Sequence, residues 1–89
     1  MYYLEGNILS GEFDGYTNEF AIQKVKEFHT QSVINQNQLA SLYEYLKKHQ
    51  DDQDGQIITL YDQMPLRLTQ HEIQQLLYDL KEIQSLYNG

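Results

Sequence analysis

The chain contains no cysteine, which excludes a disulfide framework, a thiolate metal site and a thiol nucleophile. It has one proline and one arginine, and its six basic residues stand against thirteen acids, for a net charge of −7. Binding to nucleic acid depends on Lys and Arg displacing counterions from phosphates. Here the bases are few and scattered, at Lys24 and Lys26, Lys47 and Lys48, Arg67 and Lys81. Direct contact with DNA or RNA is therefore not expected, and the same charge disfavours an anionic lipid surface. No run approaches the ~20 apolar residues of a membrane span. The first residues also lack the basic-then-apolar order of a secretion signal, so the expectation is a soluble cytoplasmic protein.

What is present fits one small domain, residues 1–89. Apolar residues make up 40% of the 89 positions, and that share includes eight tyrosines whose hydroxyls need water or a partner. Such a core is modest, and burying a face in a partner or a second copy would strengthen it. The abundance of Gln, Asn and Ile with so little Pro and Arg suits a low-GC bacterium, its phages or its plasmids.

The clearest pattern occurs twice. Ile34 and Asn35 lead into Gln38, Leu39, Leu42, Tyr43, Leu46 and Lys47; Leu68 and Thr69 lead into Glu72, Ile73, Leu76, Leu77, Leu80 and Lys81. Each copy has a cap residue, then Gln or Glu three places on, then apolar residues at helical spacing. That is the signature of a capping box, with Ile34–Leu39 and Leu68–Ile73 spaced as hydrophobic staples. Lys47, Lys48 and His49 fall in the last turn of the first helix, where positive charge complements the dipole. The second stripe continues through Ile83 to Tyr87. The segments preceding the two caps do not align, so convergence on good helix grammar explains the match better than duplication.

Elsewhere Tyr2, Leu4 and Ile8 alternate across Gly6, the pattern of a short strand with a bend. Asp14-Gly15 marks a tight turn. For Phe20 to Phe28, the Ala, Gln, Lys and Glu content favours a helix with Ala21, Val25 and Phe28 on one face. The alternative is a strand returning across Asp14-Gly15, with Phe20 and Ile22 on one side. Gln56 to Tyr61 is β-branched and reads as a strand, and Leu66 and Leu68 are extended after Pro65. The expected fold is α+β, with two or three amphipathic helices on a short antiparallel or mixed sheet.

No motif specifies a reaction. The loop from Gln50 to Ile57 resembles the middle of a calcium-binding EF-hand loop at Asp52, Asp54, Gly55 and Ile57. It has Gln50 at the first place and Tyr61 at the twelfth, where a bidentate Glu is required, so a polar turn is the better reading. His29, His49 and His71 lack the i, i+4 partners of a helical zinc site, and no serine sits in a nucleophile elbow. Asp79 and Glu82, one turn apart, read as solvated surface. No cofactor or metal and no catalysis are expected.

The expected function is protein–protein contact, either self-association as a homodimer or regulation of a partner. Tyr78 and Leu86 fall off the second apolar stripe and Tyr45 on the flank of the first helix, and exposed tyrosine is common where proteins meet. The alternative is an acidic mimic of nucleic acid that inhibits a basic DNA- or RNA-binding protein, with Glu44, Asp51, Asp52, Asp54 and Asp62 in place of phosphates.

Overall fold

A computed structural model describes residues 2–59 and 65–87. The chain begins with an antiparallel meander: β1 (Tyr2–Glu5), β2 (Leu9–Asp14), β3 (Glu19–Val25) and β4 (Phe28–Asn35), adjacent in chain order. Helix α1 (Gln36–Lys48) follows, then a hairpin of β5 (Gln56–Thr59) and β6 (Pro65–Leu68), and helix α2 (Gln70–Gln84). The described residues thus form an α+β fold with two helices and two antiparallel sheets.

Both helix starts form as their sequences dictate. Asn35 Oδ1 accepts from the backbone N–H of Gln38 at 2.8 Å, while Gln38 Oε1 accepts from the N–H of Asn35 at 2.9 Å. The Thr69–Glu72 box repeats this with 3.2 and 2.9 Å bonds. Each box satisfies orphan donors of a first helical turn. All four staple residues, Ile34, Leu39, Leu68 and Ile73, are buried. Helix α2 stops at Gln84, short of the Tyr87 the stripe suggested, yet Tyr87 is buried all the same. Its hydroxyl donates to the Ile34 carbonyl at 2.6 Å, and its ring meets Phe13 edge-on at 5.3 Å. Burial pushes that phenol up to about 12.

The segment from Phe20 to Phe28 is not the helix its composition favours. It forms β3, the tight Lys26–Glu27 turn and the start of β4. Phe20 and Ile22 alternate, and a register shift between Ile22 and Lys24 brings Val25 to the same side, so as a strand the segment buries all three in the core, which overrides helix propensity. Cross-strand register aligns Tyr2, Phe13, Phe20 and Ile34 in one row and Tyr3, Glu12, Ala21 and Val33 in the next. Side chains in successive rows point to opposite faces. Phe13, Phe20 and Ile34 are buried and Val33 is exposed, so the first row faces the helices and the second faces away. Strand β4 also carries Thr30 and Ser32 inward, their hydroxyls 3.3 Å apart.

Strand β5 is described from Gln56 to Thr59; Leu60 and Tyr61, the rest of the expected strand, lie outside the described residues. The Gln50–Gly55 loop is a polar helix-to-strand connection. Gly55 adopts φ +74°, and a Cβ there would meet the Leu68 carbonyl oxygen at 2.1 Å, so only glycine fits. One contiguous apolar core joins the meander, the hairpin and both helices.

Candidate functional site

The amphipathic stripe of α2 dictates that Ile73, Leu76, Leu80 and Ile83 bury, and all four do. Asp79 goes in with them, at 1% exposure. Its position is three residues after Leu76 and four before Ile83, on the margin of the apolar stripe. A buried carboxylate needs donors, and the β1–β2 turn supplies them. Backbone N–H groups of Asn7, Ile8 and Leu9 donate to Asp79 at 2.8, 2.6 and 3.1 Å, and the Asn7 side-chain amide adds a 3.3 Å bond. These charge-assisted bonds pin the end of β1 to the flank of α2. Gly6 permits the approach, since a Cβ on it would lie 2.5 Å from Asp79 Cγ. The expectation that Asp79 is solvated surface is therefore corrected. Glu82, its neighbour one turn on, is exposed as expected.

The tether leaves a hollow of about 390 Å³ between β1 and α2, lined by Tyr2–Glu5, the Gly6–Asn7 turn, Tyr78, Asp79 and Glu82. No residue of β2 contributes, so the hollow lies toward the edge of β1 that has no neighbouring strand among the described residues. Three exposed tyrosines line it, Tyr78 at 60% exposure, Tyr2 at 56% on the helix-facing side of β1 and Tyr3 at 55% on the other side. Tyr78 forms a ridge, because on its other side a hollow of about 280 Å³ includes Tyr43, Lys47 and Lys81. The β1 side of the ridge carries Glu5 and Glu82 and no Lys or Arg; the α1 side carries two lysines.

The other expected contact residues lie elsewhere. Leu86 is half-buried and packs on the core. Tyr45 is 39% exposed, but its hydroxyl donates to Gln56 Oε1 at 2.6 Å and its ring lies 4.6 Å from that of His49. His49 Nδ1 and Gln56 Nε2 both reach Asp52 Oδ2 at 2.8 Å. Tyr45 and Asp52 thus belong to one network that shapes the α1–β5 loop. Neither hollow beside Tyr78 includes Tyr45 or Leu86.

Of the expected acidic patch, Asp51, Asp52 and Asp54 share the α1–β5 loop. Asp51 and Asp54 are exposed on the loop, and Glu44 shares a different hollow with Lys47 and Lys48. Asp62 lies outside the described residues. At the start of α2, Glu72 is held by Lys26, whose Nζ lies 2.9 Å from Oε2 and also donates to the Arg67 carbonyl at 3.2 Å. The Thr69 backbone N–H, and then Lys26, hold the Glu72 carboxyl below the usual carboxylate range. Among the described residues no three His, Asp or Glu side chains converge to hold a metal ion, and no helix is long and apolar enough to cross a membrane.

Sequence reasoning singled out Tyr78 and missed Tyr2 and Tyr3. The signal was present: alternation about Leu4 puts Tyr3 on the opposite face of a strand that begins the chain. Comparison of the chain with family models, with curated proteins and with solved structures finds no match.

Proposed function

We propose that the protein works by non-catalytic contact with another protein, through the face that carries Tyr78. The observation that supports this most is the placing of Tyr2 and Tyr78 at one hollow, with Tyr3 beside them on the other face of β1, each more than half exposed. A tyrosine ring offers large contact area at low entropic cost together with a polar tip. Such rings grouped at a strand edge that no strand pairs among the described residues form a surface suited to a partner, whereas singly exposed rings are ordinary. The small core agrees with such a role, because a partner that covers this face adds burial the chain lacks on its own.

The acidic-mimic reading has less in its favour. A phosphate mimic needs carboxylates in an array, but Asp52 is engaged by His49 and Gln56, and Glu44 stands beside two lysines. Its distinguishing behaviour is binding that weakens steeply with salt and competes with DNA or RNA.

Replacing Tyr78 with Asp tests the favoured reading. Tyr78 is exposed, so the variant should keep its circular dichroism spectrum and melting temperature while association, measured by co-purification or sedimentation, falls by about tenfold or more. Unchanged association contradicts it.

A further inference from the structure

We infer that the hollow between β1 and α2 receives an extended, basic segment of a protein partner, which adds to the meander as a fifth strand beside β1. This rests on the protein-contact reading above and states how the contact is made.

Three features on the same few residues carry it. The first is backbone chemistry: among the described residues β1 pairs only with β2, so the alternate N–H and C=O groups that point away from β2 meet no described strand. An exposed edge of this kind is a template for strand addition. The second is shape. Helix α2 runs beside that edge and supplies Tyr78 and Glu82, an i, i+4 pair, as the wall of a groove whose other side is β1 itself. The Asp79 bonds to the β1–β2 turn fix the spacing of wall and strand before any partner arrives, which lowers the entropic cost of binding.

The third feature is charge. Glu5 and Glu82 are exposed at the groove, and neither takes part in a salt bridge among the described residues; those bridges are Lys26–Glu72 and His49–Asp52. Asp79 is already satisfied by backbone donors, so the charge offered to a ligand is that of Glu5 and Glu82. No Lys or Arg lines the groove. An incoming strand with Lys or Arg at the positions that face away from the helices meets Glu5 there, while its positions that face α2 meet Tyr2 and Tyr78, with Glu82 on the wall beside them. A second copy of the chain is the poorer occupant, because it brings a net charge of −7 and an edge strand, Tyr-Tyr-Leu-Glu, with no basic residue.

The probe is a synthetic heptapeptide of alternating Lys and Val, titrated into the ¹⁵N-labelled full chain beside an otherwise identical Glu–Val peptide. Saturable amide shifts are expected at Tyr2–Asn7 and at Tyr78–Glu82 with the basic peptide and not with the acidic one. Methylating its alternate backbone nitrogens should cost about tenfold in affinity in one phase, facing β1, and little in the other. The Glu5→Lys, Glu82→Lys double variant, changed only at exposed positions, should weaken binding by about tenfold as well.

Shifts confined to Asp51–Asp54, no saturable shift, or equal tolerance of both methylation phases overturns the proposal. So does a stable dimer whose β1 amides are protected from exchange without peptide, which assigns the edge to a second copy. If Tyr78→Asp impairs association while the basic peptide fails to bind, strand addition is wrong and the protein-contact reading stands. If Tyr78→Asp changes nothing, the broader reading falls with it.

Discussion

The two helices begin with the same grammar and are held in the molecule by different means. Each follows a strand, each has a complete capping box, and each buries both staple residues. Beyond the first turn they diverge. Helix α1 ends in an exposed network in which Tyr45, His49, Asp52 and Gln56 bond to one another over at most eleven residues of sequence. Helix α2 is tied at its start by Lys26 to Glu72, and in mid-course by Asp79 to amides more than seventy residues distant in three of its four bonds. Capping residues decide where a helix starts. Its place in the fold is decided by what its flank reaches, and for α2 that same reach builds the hollow beside β1.

The comparison breaks most visibly at Asp79. Removing its carboxylate in Asp79→Ala strands three backbone N–H donors in a buried turn, and chemical denaturation should show a loss of about 3 kcal/mol or more. If α2 were held by its apolar stripe alone, the loss would be under about 1 kcal/mol. Gly6→Ala attacks the same tether from the other side. Its Cβ would displace a carboxylate that four hydrogen bonds hold, so a loss of roughly 1–3 kcal/mol is expected.

Smaller effects compare the two caps directly. Thr69→Ala and Asn35→Ala should each cost about 1 kcal/mol, near 4–8 °C in melting temperature for a domain of this size. The Thr69 cap carries an added pH dependence, because the Glu72 carboxyl is held low by the Thr69 N–H and by Lys26. A lowered folded pKa contributes stability that is complete above the ordinary value of 4.5 and is lost as pH falls through the folded value. The stability gap between the parent chain and Glu72→Gln should accordingly be constant near neutrality and close below pH 4.5; the corresponding Gln38 at α1 titrates nothing. Smallest of all is Tyr45→Phe. It deletes one exposed hydroxyl bond and should change stability by about 0.5 kcal/mol or less.

What was legible in the sequence was whatever local chemistry decides. Asn35 with Gln38, and Thr69 with Glu72, each act within one helical turn, so their residue types alone mark the starts of α1 and α2. Strands β3 and β4 depend on partners across the sheet. Helix-favouring Ala21, Gln23, Lys24 and Lys26 concealed β3, while the inward Thr30 and Ser32 removed the apolar alternation that would have revealed β4. Asp79 is the sharpest case. Its place on the stripe margin was readable by counting from Leu76 and Ile83, but its donors are backbone groups at the far end of the chain, which leave no mark in residue type. For the site, Tyr78 was found from helix geometry, whereas Tyr2 and Tyr3 gain meaning only because the Asp79 tether brings β1 alongside α2.

Photo-crosslinking inside the cells that make the protein tests the central claim most directly. A benzophenone amino acid is placed at Tyr78 in one variant and at the fully exposed Tyr16, in the β2–β3 turn, in another. A discrete protein adduct from position 78 and none of that mass from position 16 is the result expected of a contact face between β1 and α2. No adduct from position 78, or the same adducts from both positions, would contradict it.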